Sequence, residues 1–398
     1  MSSSTSLKVL PIQIKKQRIQ AKEQTDTLKI EYSRDKNITD FGKATLIDRY
    51  LLPGEKFQDM FMRVAKCYSD NDAHAQRIYD YISKMWFMPA TPVLSNGGAK
   101  RGLPISCFLN TVQDSLTLAI SQGSLRRGSA ACYLDVHHPE IEEFLEIRKP
   151  SGDFNRKSLN LHHGINITDE FMECVKNDKE FSLRSPKTNE TLRKINAREL
   201  WQKILETRMQ TGEPYLVFID TVNKNMAKHQ KNKGLKVTTS NLCSEIMLHT
   251  GVDHLGNERT AVCCLSSVNL EKWDEWSTDE MFIQDVMRFL DNVLEDFINN
   301  APDSMKNAVY SAKRERSVGL GAMGFHSFLQ KKGIPFESAL AKSWNVKFFK
   351  HLKQEADKAS VILAIEKGAC PDADEEQVKA RFSHKLAIAP TALSLIHI

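Results

Sequence analysis

Periodicity changes character once along this chain, near residue 90, and that change limits the folds open to it. Before it, apolar residues recur at helical spacing: Phe57, Met60, Phe61, Val64, Ala65 and Tyr68, then a second set from Asn71 through Ile78, Tyr81 and Ile82. Met88-Pro89-Ala90-Thr91-Pro92 ends the pattern, because each proline disfavours helix in the residue before it. Beyond it, short β-like runs occur at 106–109, 131–136, 159–167, 215–219 and 261–265. Helical stretches at 197–209, 283–298 and 344–365 alternate with some of them. The second carries the stripe Ile283, Val286, Met287, Leu290, Val293, Leu294 and Phe297, and the third is stopped by Gly368 and Pro371. Such alternation predicts an α/β architecture with parallel strands. A chain of 398 residues holds two or three domains, or one large barrel with an added domain.

Several function classes are disfavoured by the totals. A net charge of +5 is too slight to mark a nucleic-acid binder, though it suits anionic small molecules. Of the 8 cysteines none forms a Cys-x-x-Cys pair, which argues against a zinc ribbon and a secreted disulfide scaffold. Thiols in a chain this long predict a reducing, cytoplasmic setting. Met1-Ser2-Ser3-Ser4-Thr5-Ser6 lacks the apolar core of a signal peptide. No apolar run reaches ~18 residues, so no membrane span is expected. Residues 1 to about 35 read as a polar, basic, solvated arm.

Chemistry concentrates in Ser240-Asn241-Leu242-Cys243-Ser244-Glu245. If this run is extended, side chains alternate faces, and an amide, a thiol and a carboxylate point the same way. A cysteine is ordinarily a small buried hydrophobe. Here its polar neighbours would need partners if buried, so the segment reads as a loop suited to taking hydrogen from a hydroxyl-bearing substrate. Cys107 and the Cys263-Cys264 pair sit in apolar runs that look like buried strands. On a strand only one member of that pair can share a face with a distant partner.

Other segments carry weaker signals. Gln122-Gly123-Ser124-Leu125-Arg126-Arg127-Gly128 is a Gly/Ser loop whose arginines suit a phosphate or a base, or else an ordinary surface turn. Gly319-Leu320-Gly321-Ala322-Met323-Gly324 matches G-x-G-x-x-G but follows Lys313-Arg314-Glu315-Arg316-Ser317, which is no apolar strand. Close helix packing at small residues is the preferred reading there. The adjacent pairs His137-His138 and His162-His163 match no zinc spacing and read as solvated or hydrogen-bonded.

Together these segments resemble the large, catalytic subunit of ribonucleotide reductase. The hexad over 240–245 is similar to that family's finger loop. Ala90-Thr91-Pro92-Val93-Leu94 and Ser106-Cys107-Phe108-Leu109 resemble its substrate-site strands, and Arg126-Arg127-Gly128-Ser129-Ala130-Ala131 its effector-communication loop. Gly212-Glu213-Pro214-Tyr215, the run over 262–270 and Gly319-Leu320-Gly321 also fit, in order, from about Tyr50 to Ala392. The resemblance implies a ten-stranded α/β barrel with an N-terminal helical region. It implies that Cys243 becomes a thiyl radical and takes the 3′ hydrogen of a ribonucleotide. Glu245 would act as base on the 3′ hydroxyl and Asn241 would hold that hydroxyl. Cys107 and Cys263 would supply two reducing equivalents and end as a disulfide. Thr91 and Ser106 would contact substrate, and Gln122 and Arg126 would carry an effector signal.

Partners implied by the family are a ribonucleotide (by preference a diphosphate), a nucleoside triphosphate effector, thioredoxin or glutaredoxin, and a second copy of the chain. The radical would come from a metal-containing small subunit, with adenosylcobalamin the alternative. No cofactor or metal bound directly to this chain is expected. The domain reading is a polar arm and helical region over 1–90, barrel over 91–392 with the finger loop near 236–246, and an anomalous tail over 393–398. Against the family pattern the chain is short near 110–121, lacks a recognisable ATP-binding domain in 1–50, and ends where a second barrel half is expected. Two other functions therefore stand beside reduction of ribonucleotides. One is an inert fragment of that subunit. The other is a nicotinamide-linked oxidoreductase built on the Gly319 motif.

Overall fold

A computed structural model of the chain describes residues 28–99, 102–105, 108–109, 130–153, 157–159 and 161–390. Ser106, Cys107, Gln122 and Arg126 lie outside the described residues, as do the first 27 residues and the tail over 393–398.

The two helices predicted near the N-terminus form as Phe57–Cys67 and Asp72–Ser83. Asn71 starts the second, its Oδ1 accepting from His74 N at 2.9 Å, which satisfies one of the amides left open at a helix start. Both pack with Phe282–Asn300 and Ala339–Lys367 around a core that includes Phe61, Ile78, Leu290 and Phe348. Asp285 fastens this assembly. Its buried carboxylate accepts from Arg77 Nε at 2.6 Å, Arg77 Nη2 at 2.9 Å and Tyr81 OH at 3.2 Å. The carboxylate is buried while the guanidinium is partly exposed, and this fork ties the helix Asp72–Ser83 to the helix Phe282–Asn300.

Among the described residues the strands are β1 (Phe87–Pro89), β2 (Phe108–Leu109), β3 (Ala131–Asp135), β4 (His162–Ile167), β5 (Glu180–Arg184), β6 (Thr191–Asn196), β7 (Tyr215–Phe218), β8 (Gly251–Val252), β9 (Glu258–Arg259), β10 (Ala261–Val262), β11 (Leu265–Asn269) and β12 (Gly319–Met323). The predicted parallel pairing holds for β3–β4–β7 and for β11–β12. The remaining pairs, β1–β11, β2–β10, β5–β6 and β8–β9, are antiparallel. Among the described residues the strands form five small sheets and no closed barrel.

Three local expectations need correction. The run over 261–265 is not one strand: β10 and β11 belong to different sheets, and Cys263-Cys264 lies at the switch between them. Thr91 is not on a strand but opens the short helix Thr91–Asn96, because Pro92 presets the helical φ in the first turn. Gly319 and Gly321 do not pack a helix. They lie in β12, where a Cβ on Gly321 would come 2.5 Å from Ala387 O, so the glycines serve close strand approach and not a dinucleotide turn.

A buried polar network braces the C-terminal side. Arg259 bridges Asp253 (2.8 Å) and Asp372 (2.6 Å), and Arg314 also reaches Asp372 (2.7 Å). Glu315 sits within it, accepting from Gln230 Nε2 at 3.1 Å. Burial pushes its carboxyl up to about 7, opposed by the Arg259 charge. The folded state thus binds a proton at Glu315 that the unfolded chain has lost. Its contribution is full below the ordinary carboxylate range and is lost as pH rises toward about 7. Glu315→Gln should therefore gain stability relative to the parent between pH 5 and pH 8, by on the order of 1–3 kcal/mol in urea denaturation. A constant difference across that range would refute the assignment.

Candidate active site

The segment over 236–250 carries the predicted reactive thiol and forms no strand of its own. Side chains take over its backbone bonding. Asn223 Oδ1 accepts from Val237 N at 2.8 Å while its Nδ2 donates to Val237 O at 2.9 Å. Asn166 of β4 donates to Thr238 O at 2.9 Å. His249 Nδ1 lies 2.6 Å from Lys236 O, joining the two arms of the loop. Ser240 Oγ donates to Ile246 O at 3.1 Å, and Asn241 Oδ1 accepts from Ile246 N at 3.0 Å. Each bond satisfies a backbone group that no strand ladder pairs.

At the tip the chain turns. Ser244 N donates to Asn241 O at 3.1 Å, and Ser244 adopts φ +64°. The extended conformation that would align residues 241, 243 and 245 on one face is therefore absent. Asn241 is buried, 3% exposed, whereas Cys243 at the turn is exposed. Glu245 is half-buried, and among the described residues no donor reaches its enclosed Oε2. A carboxylate oxygen desolvated without a partner costs free energy, so it is a position where a substrate hydroxyl would be welcome.

The turn rests on sheet β3–β4–β7. Tyr133, Gly164 and Tyr215 occupy one row across its three strands. Tyr133 OH donates to Asn241 O at 3.1 Å and lies 3.0 Å from Ser244 Oγ. Its ring lies over Gly164, where a Cβ would approach Tyr133 Cδ1 to 2.6 Å. Burial raises the pKa values of Tyr133 and Tyr215, and for Tyr215 the charge of Glu213 adds to it.

Residues after the turn lead to the second thiol. Ile246, Leu248, Ala261, Cys263 and Leu265 form one buried cluster, joined by Ala90, Ala387 and Ala389. Cys264 belongs instead to the main core, its Sγ 3.5 Å from Leu290 O, and burial pushes its thiol well above the ordinary range. Of the pair, only Cys263 thus shares a cluster with residues of the 236–250 segment. Thr91 follows Ala90 of that cluster, its Oγ1 3.1 Å from Tyr50 OH. Cys107, Ser106, Gln122 and Arg126 lie outside the described residues. The next residue after Cys107, Phe108, pairs with Val262 across antiparallel β2 and β10.

The His162-His163 pair is hydrogen-bonded to Glu213. Nδ1 of each ring meets a Glu213 oxygen, at 3.0 Å for His163, and Arg148 Nε lies 3.3 Å from Oε2. Burial would raise Glu213, but the two histidine bonds outweigh it and hold the carboxyl below its ordinary range; burial lowers His163. The His162 ring runs parallel to Tyr215 at 6.4 Å between centroids. Among the described residues no cluster of His, Cys, Asp and Glu could hold a metal ion, and no helix is long and apolar enough to cross a membrane. Sequence reasoning passed over Tyr133 and Glu213. Nothing local singles out Tyr133, whereas an acid two residues before a strand and an upstream histidine pair were a readable signal.

The chain is similar to known proteins. A family model described as ribonucleotide reductase, barrel domain, matches residues 90–392, and one described as ribonucleotide reductase, all-alpha domain, matches 36–102. The Frog virus 3 (isolate Goorha) protein assigned as a ribonucleoside-diphosphate reductase large subunit is 40% identical over 394 residues, covering 86% of this chain and 68% of that one. The ribonucleoside-diphosphate reductase large subunit of Invertebrate iridescent virus 3 is 35% identical over 469 residues, covering 92% and 73%. Among solved structures, the class Id ribonucleotide reductase alpha subunit of Actinobacillus ureae superposes with a TM-score of 0.77 at 27% identity, covering 93% of this chain and 75% of that chain.

The tyrosine row makes a stability prediction. Gly164→Ala should push the Tyr133 ring aside and destabilise the chain by roughly 1–3 kcal/mol in chemical denaturation. In a Tyr133→Ala background most of that penalty should vanish. An undiminished penalty there would rule out the ring as its cause.

Proposed function

The chain belongs to the ribonucleotide reductase large-subunit family, whose reaction is reduction of ribonucleotides to deoxyribonucleotides, and on that premise we propose that Cys243 is the radical-bearing thiol. Its exposure at the tip of a braced turn, with the unpartnered Glu245 Oε2 two residues away, is the observation that carries this reading. A Cys243 thiyl takes the hydrogen from C3′ of the ribose. Glu245 accepts the 3′-hydroxyl proton as charge develops there, the work of a general base positioned by the fold. Asn241 approaches the same hydroxyl through its amide nitrogen, since Oδ1 is committed to Ile246 N.

Loss of the 2′ oxygen as water consumes two electrons and two protons. We assign these to Cys263 and Cys107, which close to a disulfide as the substrate is reduced. The pairing of their neighbours Val262 and Phe108 supports this, because adjacent positions on antiparallel strands lie within reach of a disulfide. Exchange with a thioredoxin or glutaredoxin dithiol resets the pair. Thr91 and Ser106 contact substrate, a ribonucleoside diphosphate by the names of the relatives. Gln122 and Arg126 relay a nucleoside triphosphate effector.

The radical originates outside this chain, on a separate small subunit, in keeping with relatives named as large or alpha subunits. We place the protein in the cytoplasm as a homodimer, with its helical region over 1–90 and its barrel region over 91–392. The nicotinamide alternative loses its basis, because the first two glycines of its motif are strand residues packed against Ala387.

In an assay with small subunit, dithiol reductant and ribonucleoside diphosphate, Cys243→Ser should abolish turnover. Glu245→Gln should lower kcat on the order of 10²–10⁴-fold, the usual worth of a general base. Turnover retained by Cys243→Ser would end this reading.

A further inference from the structure

We propose that Tyr133 is a positioning residue for the reaction: its hydroxyl holds the finger-loop turn in the one conformation that presents Cys243. This rests on the radical role given to Cys243 above. Three observations carry it. Tyr133 OH contacts both ends of the turn, Asn241 O at 3.1 Å and Ser244 Oγ at 3.0 Å, so one hydroxyl spans Cys243. Ser244 is held at φ +64°, a left-handed conformation that a serine leaves readily unless something fixes it. Finally, the ring can reach the loop only because its register partner on β4 is Gly164, over which it lies.

The hydroxyl also interacts with Ser240 of the same loop, and its ring lies over Gly164 whether or not the hydroxyl is present. The loop stem is secured separately, by Asn166 and Asn223. Losing the hydroxyl should therefore leave the fold intact and free only the tip. Hydrogen transfer between carbon and sulfur depends steeply on their separation, so a loosened tip slows that step without weakening nucleotide binding.

Tyr133→Phe tests this, because phenylalanine keeps the ring over Gly164. With the complete reductase and a 3′-deuterated ribonucleotide, kcat should fall on the order of tenfold, with KM within about twofold of the parent and a larger isotope effect on kcat. Independently of turnover, iodoacetamide should label Cys243 severalfold faster in the variant, read by peptide mass spectrometry. An unchanged isotope effect or an unchanged labelling rate would overturn the proposal. Should Tyr133→Phe not fold, Ser244→Ala removes one of the two contacts from the loop side and is judged by the same two readings. Cys243→Ser in the same assay separates the two claims: its activity would refute the radical role, whereas parental behaviour of Tyr133→Phe would refute only the positioning.

Discussion

The architecture of this molecule depends on side chains doing the work of a missing strand. Residues 236–250 run partly buried and without a ladder, and each buried amide or carbonyl left open there would cost about 1–3 kcal/mol. Asn223, Asn166, Ser240, Asn241 and His249 answer those groups one at a time. A strand in that place would have alternated its side chains between two faces and hidden half of them. The irregular path lets Asn241 turn inward while Cys243, two residues on, stays exposed.

Much of the scaffold was legible because it is periodic. The stripe from Ile283 to Phe297 specifies its helix and the face it buries, and Asn71 with Gly368 mark helix ends. Chemistry-bearing residues were legible too, since an amide, a thiol and a carboxylate in one polar run are hard to reconcile with a core. Their relative orientation was not. Alternation is a rule about extended chain, and the contact that ends it here, Ser244 N to Asn241 O, lies in a turn stabilised by a tyrosine 111 positions away. The hairpin β5–β6 escaped for a related reason. Its second strand, Thr191–Asn196, is mostly exposed, so no apolar alternation announces it.

The divided run over 261–269 shows how one short segment serves two cores. Ala261 and Val262 pair with β2, Leu265 to Asn269 with β1 and β12, and the two cysteines occupy the crossing. Cys264 is absorbed into the helical core beside Leu290, where burial keeps its sulfur protonated. Cys263 faces Ile246 and Leu248, on the side reached by the finger loop. Neighbouring residues of the same type are thus given opposite fates by geometry alone: one is inert packing and the other lies beside the candidate chemistry.

The strand Gly319–Met323 has a quieter bearing on the same place. Leu320 N donates to Lys385 O at 2.9 Å and Ala387 N to Leu320 O at 3.3 Å, so the chain after Ser383 is laid along β12 like thread along a seam. What lets it lie so close is the bare α-carbon of Gly321, which faces Ala387 O. Ala387 and Ala389 are thereby delivered to the apolar wall that encloses Cys263. Part of the lining around Cys263 is held in place by a hydrogen atom, and a single methyl group at position 321 would unpick it.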